Sequence, residues 1–447
     1  MTRCGRGAGL GSLLLIVLWS SPAASSAGSA FGGPARATGG ASAFNPAALA
    51  AAPPGWGVLL DLAGAALLLE YQRAGDDPRT GDPHPAVTSR ELAPNPLFTL
   101  VGPTPWPGFR LFLGGFSPST VSTKWPEDGP NRYHGTNQAM ITYALPAGVV
   151  FASGERLGLA LGAGPTFGYL VARYALDFGA YANGQLPPGA QLLPLEDPQL
   201  TGRVTAHGTG WTTTFVAGLW GRPLPWLRLG AGLFWPLDVT LRGTVRLQGS
   251  DALAEALPGF QLDTRGDLTT RYPLYPQLQA EVEAQLGRLR LALLWQHIFC
   301  GSGERVRATV ADASLAFING PQPSVGDMRA DWLLGLRLSR ELAGGWEIGG
   351  RVDVDPNSVP YEVLSPANLD FTTVQLTLGA RRRLGDRSSL ALSYTLVVGL
   401  PAEVTQSLYD PYAPPESGLA MPSGNGRYGV GAHLLTLQYA GFWGGRD

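Results

Sequence analysis

Residues 227–248 alternate for longer than an ordinary strand of about 5–6 residues can. The odd positions are Leu227, Leu229, Ala231, Leu233, Trp235, Leu237, Val239, Leu241, Gly243, Val245 and Leu247. The even positions include Arg228, Asp238, Thr240, Arg242, Thr244, Arg246 and Gln248, with Phe234 and Pro236 as exceptions. A period of two marks a strand with different environments on its two faces. A strand this long, greasy on one face and carrying Arg on the other, suits a wall between lipid and a polar lumen. Leu229, Leu233, Leu237 and Leu241 are then expected to face lipid, and Arg228, Arg242 and Arg246 the lumen or the aqueous rims.

The same alternation recurs at 157–169, 288–296, 374–381 and 390–399. The partner positions of the first of these rows are Gly158, Gly162, Gly164, Thr166 and Gly168, small residues that leave room for something packed closely against the wall. A soluble β-sandwich or propeller would use shorter strands, and no blade-like repeat is visible. Charged residues make up 15% of the 447, below the roughly 25% of soluble chains. The net charge of −2 gives no electrostatic case for nucleic acid.

The first 27 residues read as a secretory signal: Arg3 and Arg6, an apolar core from 10 to 19, then small residues with cleavage after Ala24 or Ala27. Cys4 precedes that core, so Cys300 alone remains and an intramolecular disulfide is excluded. After the signal no run of 18 apolar residues occurs, so no membrane helix is expected. Exported, without a helical anchor, and with strands suited to lipid, the chain points to an outer membrane.

Connection lengths set the topology. Short connections at 103–108, 152–155, 221–225, 287–288, 342–345 and 385–388 alternate with long ones at 73–95, 118–130, 179–203, 249–266, 309–327, 356–370 and 405–425. Six short and seven long connections give fourteen antiparallel strands with both termini periplasmic. Residues 28–54 precede this barrel (55–447) and lack alternation. They read either as a disordered leader or as a plug in the lumen.

The Asn45-Pro46-Ala47 element after a Gly/Ala-rich start resembles the outer-membrane long-chain fatty-acid and hydrocarbon transporters of the FadL/TodX type. So do 353–360 with Ser365, Pro366 and Asp370, and Asn425-Gly426-Arg427-Tyr428 leading into the last strand. The resemblance implies a fourteen-stranded all-β transmembrane barrel with an N-terminal hatch. Outer loops would capture a hydrophobic ligand, an apolar pocket above the hatch would hold it, and a kink in the third strand would release it sideways. It places Phe44, Asn45, Pro46 and Ala47 in the hatch. Apolar residues of two outer loops become capture residues: Leu192 and Leu193 in one, Leu253, Leu257 and Phe260 in the other. These apolar loop residues could also simply pack on one another. Gly114 and Gly115, with Pro118 beyond, would form the kink by adopting φ values that break a flat ladder, or would only make room for the hatch. The segment before Asn45 is shorter than the family's, and the chain runs past Tyr439 through Phe442 and Trp443.

Other chemistry finds little support. The glycines of 424–429 follow Pro422 and precede a strand, the wrong context for a dinucleotide loop. The five histidines form no i, i+4 pair, so no metal or cofactor is expected. No Gly-x-Ser-x-Gly elbow exists, and no enzymatic activity is expected. Expected partners are the ligand, outer-membrane lipid and the barrel assembly machinery, with the chain a monomer. The alternatives are a porin-like channel for polar solutes, which needs charged rings at its constriction, and a structural or enzymatic barrel.

Overall fold

The computed structural model describes residues 29–118, 120–183, 193–256, 263–300, 306–312, 315, 320–321, 331–413, 419 and 421–444. The signal region and Leu192, Leu257 and Phe260 lie outside these residues. Among them no helix is long and apolar enough to cross a membrane.

The walls are fourteen antiparallel strands in a closed ring. In chain order they are β1 (Gly55–Arg73), β2 (Val87–Pro103), β3 (Phe109–Gly115, resuming at Thr120–Lys124), β4 (Asn137–Ala144 and Ala147–Ser153), β5 (Leu157–Asp177), β6 (Thr201–Leu224) and β7 (Leu227–Pro236 and Val239–Gln248). Then follow β8 (Thr264–Tyr272 and Gln277–Leu286), β9 (Leu289–Ile298 and Arg307–Val310), β10 (Asp331–Glu341), β11 (Trp346–Asp355), β12 (Thr373–Arg383), β13 (Ser388–Gly399 and Ala402–Val404) and β14 (Gly426–Gly444). β14 pairs with β1 from Gly55↔Gly444 to Arg73↔Gly426, which closes the ring and leaves no free edge there. Long connections sit at one rim, called upper here, and short ones at the lower rim beside the ends of β1 and β14.

The outside carries an apolar band. Leu161, Phe215, Leu293, Leu336, Leu378 and Leu435 all point outward and are exposed. Aromatic residues flank it: Trp56, Trp106, Trp226, Trp346 and Trp443 near the lower rim, Trp211 and Trp332 higher up. This is the exterior of a barrel that spans a bilayer.

The long alternation at 227–248 is not one strand. It breaks at Leu237 and Asp238, and the faces swap there. Below the break the odd residues Leu229 and Trp235 are exposed, whereas above it Val239, Leu241, Val245 and Leu247 are buried inside. The expectation that Leu241 faces lipid is therefore wrong. Above the apolar band the outside meets water, so Arg242 and Arg246 belong outside and the apolar side chains belong in the lumen. Arg228, below the break, points inward to Glu283.

The second strand also differs. It begins at Val87, not near residue 95, and runs through Pro94 and Pro96, which pair with Gly64 and Leu62 of β1. Its other edge is laddered to β3 only from Phe98↔Gly115 to Pro103↔Arg110. Prolines lack a donor and are tolerated where an edge has no partner. Among the described residues no ladder joins 87–97 of β2 to the upper part of β3.

Candidate functional site

The interior has three tiers, and residues 29–54 form much of the lower two. That segment contacts inward-facing residues on strands all round the ring. It starts beside β13 and β14, where Ser29 donates to Gln438 (2.6 Å) and Ala30 N–H to Ser393 (3.1 Å). Ala35 N–H donates to Glu281 (3.0 Å), and Trp220 of β6 donates to Ala35 O (3.1 Å). Across the ring, Asp61 of β1 accepts from Gly39 N–H and Gly40 N–H at 3.1 Å each. Thr99 of β2 donates to Gly39 O (2.8 Å) and accepts from Ser42 N–H (3.2 Å).

Helix α1 (Ala41–Phe44) is one turn long and fully buried. Asn45 ends it and caps the 3-10 turn Pro46–Ala51. The Asn45 side chain accepts from Ala47 N–H (3.1 Å) and donates to Pro34 O and Leu219 O (2.8 Å each). An Asn here satisfies three backbone groups of an irregular segment, which an apolar residue cannot do. Pro46 sits at the first position of the turn, where its missing N–H costs nothing. Below, Arg110 of β3 donates to the carbonyls of Leu49, Ala52, Pro53 and Gly55 at 2.9–3.1 Å.

Close approach explains the wall glycines. A Cβ on Gly218 or Gly232 would overlap Asn45 or the Phe44 carbonyl, and one on Gly158 would meet Ala47 and Ala50. Of the small-residue row on β5, Gly158 makes room for the N-terminal segment, whereas Gly162 clears Phe112 and Gly168 clears Leu241 and Val239.

Arg36, the lone charged residue of 29–54, enters a buried ion cluster. It pairs with Glu283 (2.6 Å) and Glu347 (3.5 Å). Glu283 also pairs with Arg337 (2.7 Å) and Arg228 (3.1 Å), Arg337 with Glu281, and Glu347 with Arg290 (3.0 Å) and Arg381 (3.5 Å). No sequence argument found this cluster. Its signal was there: Glu281 and Glu283 occupy the inward positions either side of outward Val282. A cavity of about 770 Å³ opens below it, lined by Arg36, Asp61, Arg110, Arg222, Arg228 and Arg381 among others.

The middle tier is apolar on the β1–β7 side, while opposite it Gln279, Gln296, Arg351, Asp353, Gln375 and Thr377 are buried polar groups. Phe44, Ala47 and Leu49 pack with Leu59, Leu97, Phe112, Phe116, Trp220 and Phe234. The upper tier is a second apolar cluster that includes Met140, Leu170, Tyr174, Phe178, Leu200, Val204, Leu241, Val245, Leu253 and Leu268, each under a tenth exposed. Leu253, on the short helix Asp251–Ala256, is fully buried in it, and Leu193 packs against its side. Leu193 and Leu253, expected to line an outer groove, thus meet one buried apolar cluster.

Gly114 and Gly115 lie where β3 leaves the wall. Below them Phe109, Leu111 and Leu113 face out, and from Gly114 to Pro118 every residue is buried. Phe116 turns inward to stand edge-on to Phe234, ring centroids 5.5 Å apart. Neither glycine adopts positive φ, so the expectation that they bend the strand through special φ values is not met. Space is what they supply. A Cβ on Gly114 would overlap Ser42 of α1, and one on Gly115 would overlap the Phe98 ring. The inward bend, the N-terminal segment and the unladdered edge of β2, with Pro94 and Pro96 on it, meet at one place in the wall. Among the described residues no cluster of three His, Cys, Asp or Glu could hold a metal.

No family model matches this sequence, and no curated protein matches it. Solved structures do. A FadL homologue from Pseudomonas aeruginosa superposes with a TM-score of 0.78 at 16% identity, covering 93% of this chain and 97% of that one. The toluene transporter TodX of P. putida gives 0.64 at 14%, covering 91% and 94%. The toluene transporter TbuX of Ralstonia pickettii gives 0.62 at 15%, covering 93% and 98%. At these identities the likeness establishes a shared fold over nearly the whole chain.

Proposed function

We propose that this chain, whose fold is that of the FadL homologue and the TodX-type channels, is an outer-membrane transporter for hydrophobic molecules, long-chain fatty acids or related compounds. The observation that carries the proposal is the interrupted wall. The upper lumen is apolar, and beside it β3 bends inward next to an edge of β2 that has no ladder partner. Ligand is captured among the upper leucines, Leu193 and Leu253 included, and held above residues 29–54. It leaves between β2 and β3 into the hydrocarbon layer without crossing the charged lower tier. That segment acts as the hatch: it fills the lower lumen, and Arg36 latches it to Glu283 and Glu347. A water-filled porin needs an open polar constriction. Here apolar side chains pack the upper tier and the β1–β7 side of the middle tier, beside the bend of β3.

The test removes the bend. Below it the even residues of β3 face inward, and above it Thr123 is buried and Lys124 exposed, so the phase has shifted by one. Deleting residues 117–119, an odd number, restores one alternation and lets β3 run straight beside β2. The variant should fold and bind a hydrophobic ligand yet lose uptake. Unimpaired uptake by a folded variant would rule out exit through the side wall.

A further inference from the structure

The outward face of β5–β8 above the apolar band carries a ladder of arginines that the transport reading does not use. Register places Arg173 opposite Thr205, Thr205 opposite Arg246, and Arg246 opposite Arg265, one row across four strands. Arg242 lies two rows lower with Thr209, and Arg203 one row higher with Gln248. A hollow of about 360 Å³ is lined by Arg173, Arg203, Arg246, Arg265 and His207, with Glu127 as its one acid. Arg246 pairs with Asp263 (2.6 Å) and Arg203 with Glu127 (3.1 Å). Asp267 faces Thr244 on the same outward side, so the five arginines of the ladder stand against three carboxylates and leave a charge of +2. Among the described residues no ion pair holds Arg173, Arg242 or Arg265. Like charges directly opposite in a sheet, as Arg246 and Arg265 are, destabilise it unless an anion lies between them.

Height identifies the anion. Phe167 and Trp211, ring centroids 5.1 Å apart, mark the top of the apolar band on β5 and β6. Arg242, Arg246 and Arg203 lie two, six and eight residues above the Trp211 row. At about 3.3 Å per residue and a tilt of about 40°, they stand roughly 5, 15 and 20 Å above the girdle. That range exceeds the single phosphate layer of a simple phospholipid. On β5–β7 below, a lipid-facing hollow of about 400 Å³ lies between Leu161, Phe215, Leu233 and Trp235, shaped for hydrocarbon. We propose that this face binds one molecule class: a lipid whose sugar headgroup carries several phosphates, its acyl chains over the lower hollow and its phosphates on the arginine ladder. The site does not depend on what the lumen transports.

The test uses the full barrel purified in a neutral detergent. Binding of a diphosphorylated glucosamine lipid, its dephosphorylated form, phosphatidylglycerol and inorganic phosphate is compared by native mass spectrometry and titration. The same is done for Arg173→Gln/Arg246→Gln/Arg265→Gln and for Arg383→Gln at the lower rim. The diphosphorylated lipid should bind at least tenfold tighter than the other three probes, and the triple variant should lose that preference while Arg383→Gln keeps it. Equal binding of the dephosphorylated lipid or of phosphatidylglycerol, saturation by inorganic phosphate alone, or an unaffected triple variant would each overturn the proposal.

Discussion

Replacing Arg36 by Met tests what holds residues 29–54 in place. Arg36 is 7% exposed and bonds Glu283 at 2.6 Å, with Glu347 at 3.5 Å. Breaking a buried pair costs about 3–5 kcal/mol when it leaves an uncompensated charge. Here neither carboxylate is orphaned. Glu283 keeps Arg337 and Arg228, and Glu347 keeps Arg290, Arg381 and a hydrogen bond from Ser339. The loss is then closer to that of one charge-assisted hydrogen bond plus a weak contact, about 2–3 kcal/mol. That corresponds to a 30- to 150-fold rise in the open population of the segment, at about 1.4 kcal/mol per factor of ten. Hydrogen exchange of amides 33–52 should speed up by that factor while the wall amides of β5 and β6 stay protected. Single-channel conductance should show openings that the parent lacks. Arg383→Met serves as the control, because its pair with Glu341 is 60% exposed on the arginine side and such pairs contribute little. Unchanged exchange in Arg36→Met would refute the latch.

Asn45→Ala strands Pro34 O, Leu219 O and Ala47 N–H, and should loosen the same amides by about 2–3 kcal/mol with the barrel intact, read by the same exchange experiment. Leu253→Asp puts an unpaired carboxylate into the upper apolar cluster, so uptake of a hydrophobic ligand should fall severalfold in a variant that still migrates as a folded barrel. The loop residue His134 is buried against Tyr409, and burial pushes its imidazole down to about 3. The unfolded loop takes up a proton near pH 6.5 and the folded one does not. Stability is therefore full above about pH 6.5 and falls as the pH drops toward 3, by about 2 kcal/mol at pH 5. Proteolysis of loops 125–136 and 405–425 should accelerate at pH 5, and His134→Gln should weaken that dependence.

The wall was largely legible because lipid outside and polar groups inside impose opposite demands on alternate residues. Strands such as Leu289–Ile298 and Ser388–Gly399 declare both faces. The legibility failed where both sides of the argument change at once. Above Asp238 the outside becomes aqueous and the inside apolar, so the odd positions of 239–247 stay greasy while pointing the other way. Pro94 and Pro96 hide β2 from any reading that expects a fully laddered strand, although they mark its open edge. The position of the N-terminal segment could be suggested by Asn45-Pro46, but its anchorage could not. Arg36 meets residues about 250 and 310 positions away, a juxtaposition that only the closed ring creates.

Uptake by cells lacking their own hydrophobic channels measures the central claim most directly. Radiolabelled long-chain fatty acid, toluene and a small polar sugar are offered to cells making this protein and to cells making the 117–119 deletion. The account predicts saturable entry of at least one hydrophobic compound, no added entry of the sugar, and loss of the hydrophobic uptake in the deletion. Rapid sugar entry with no hydrophobic uptake would contradict it and make the chain a porin.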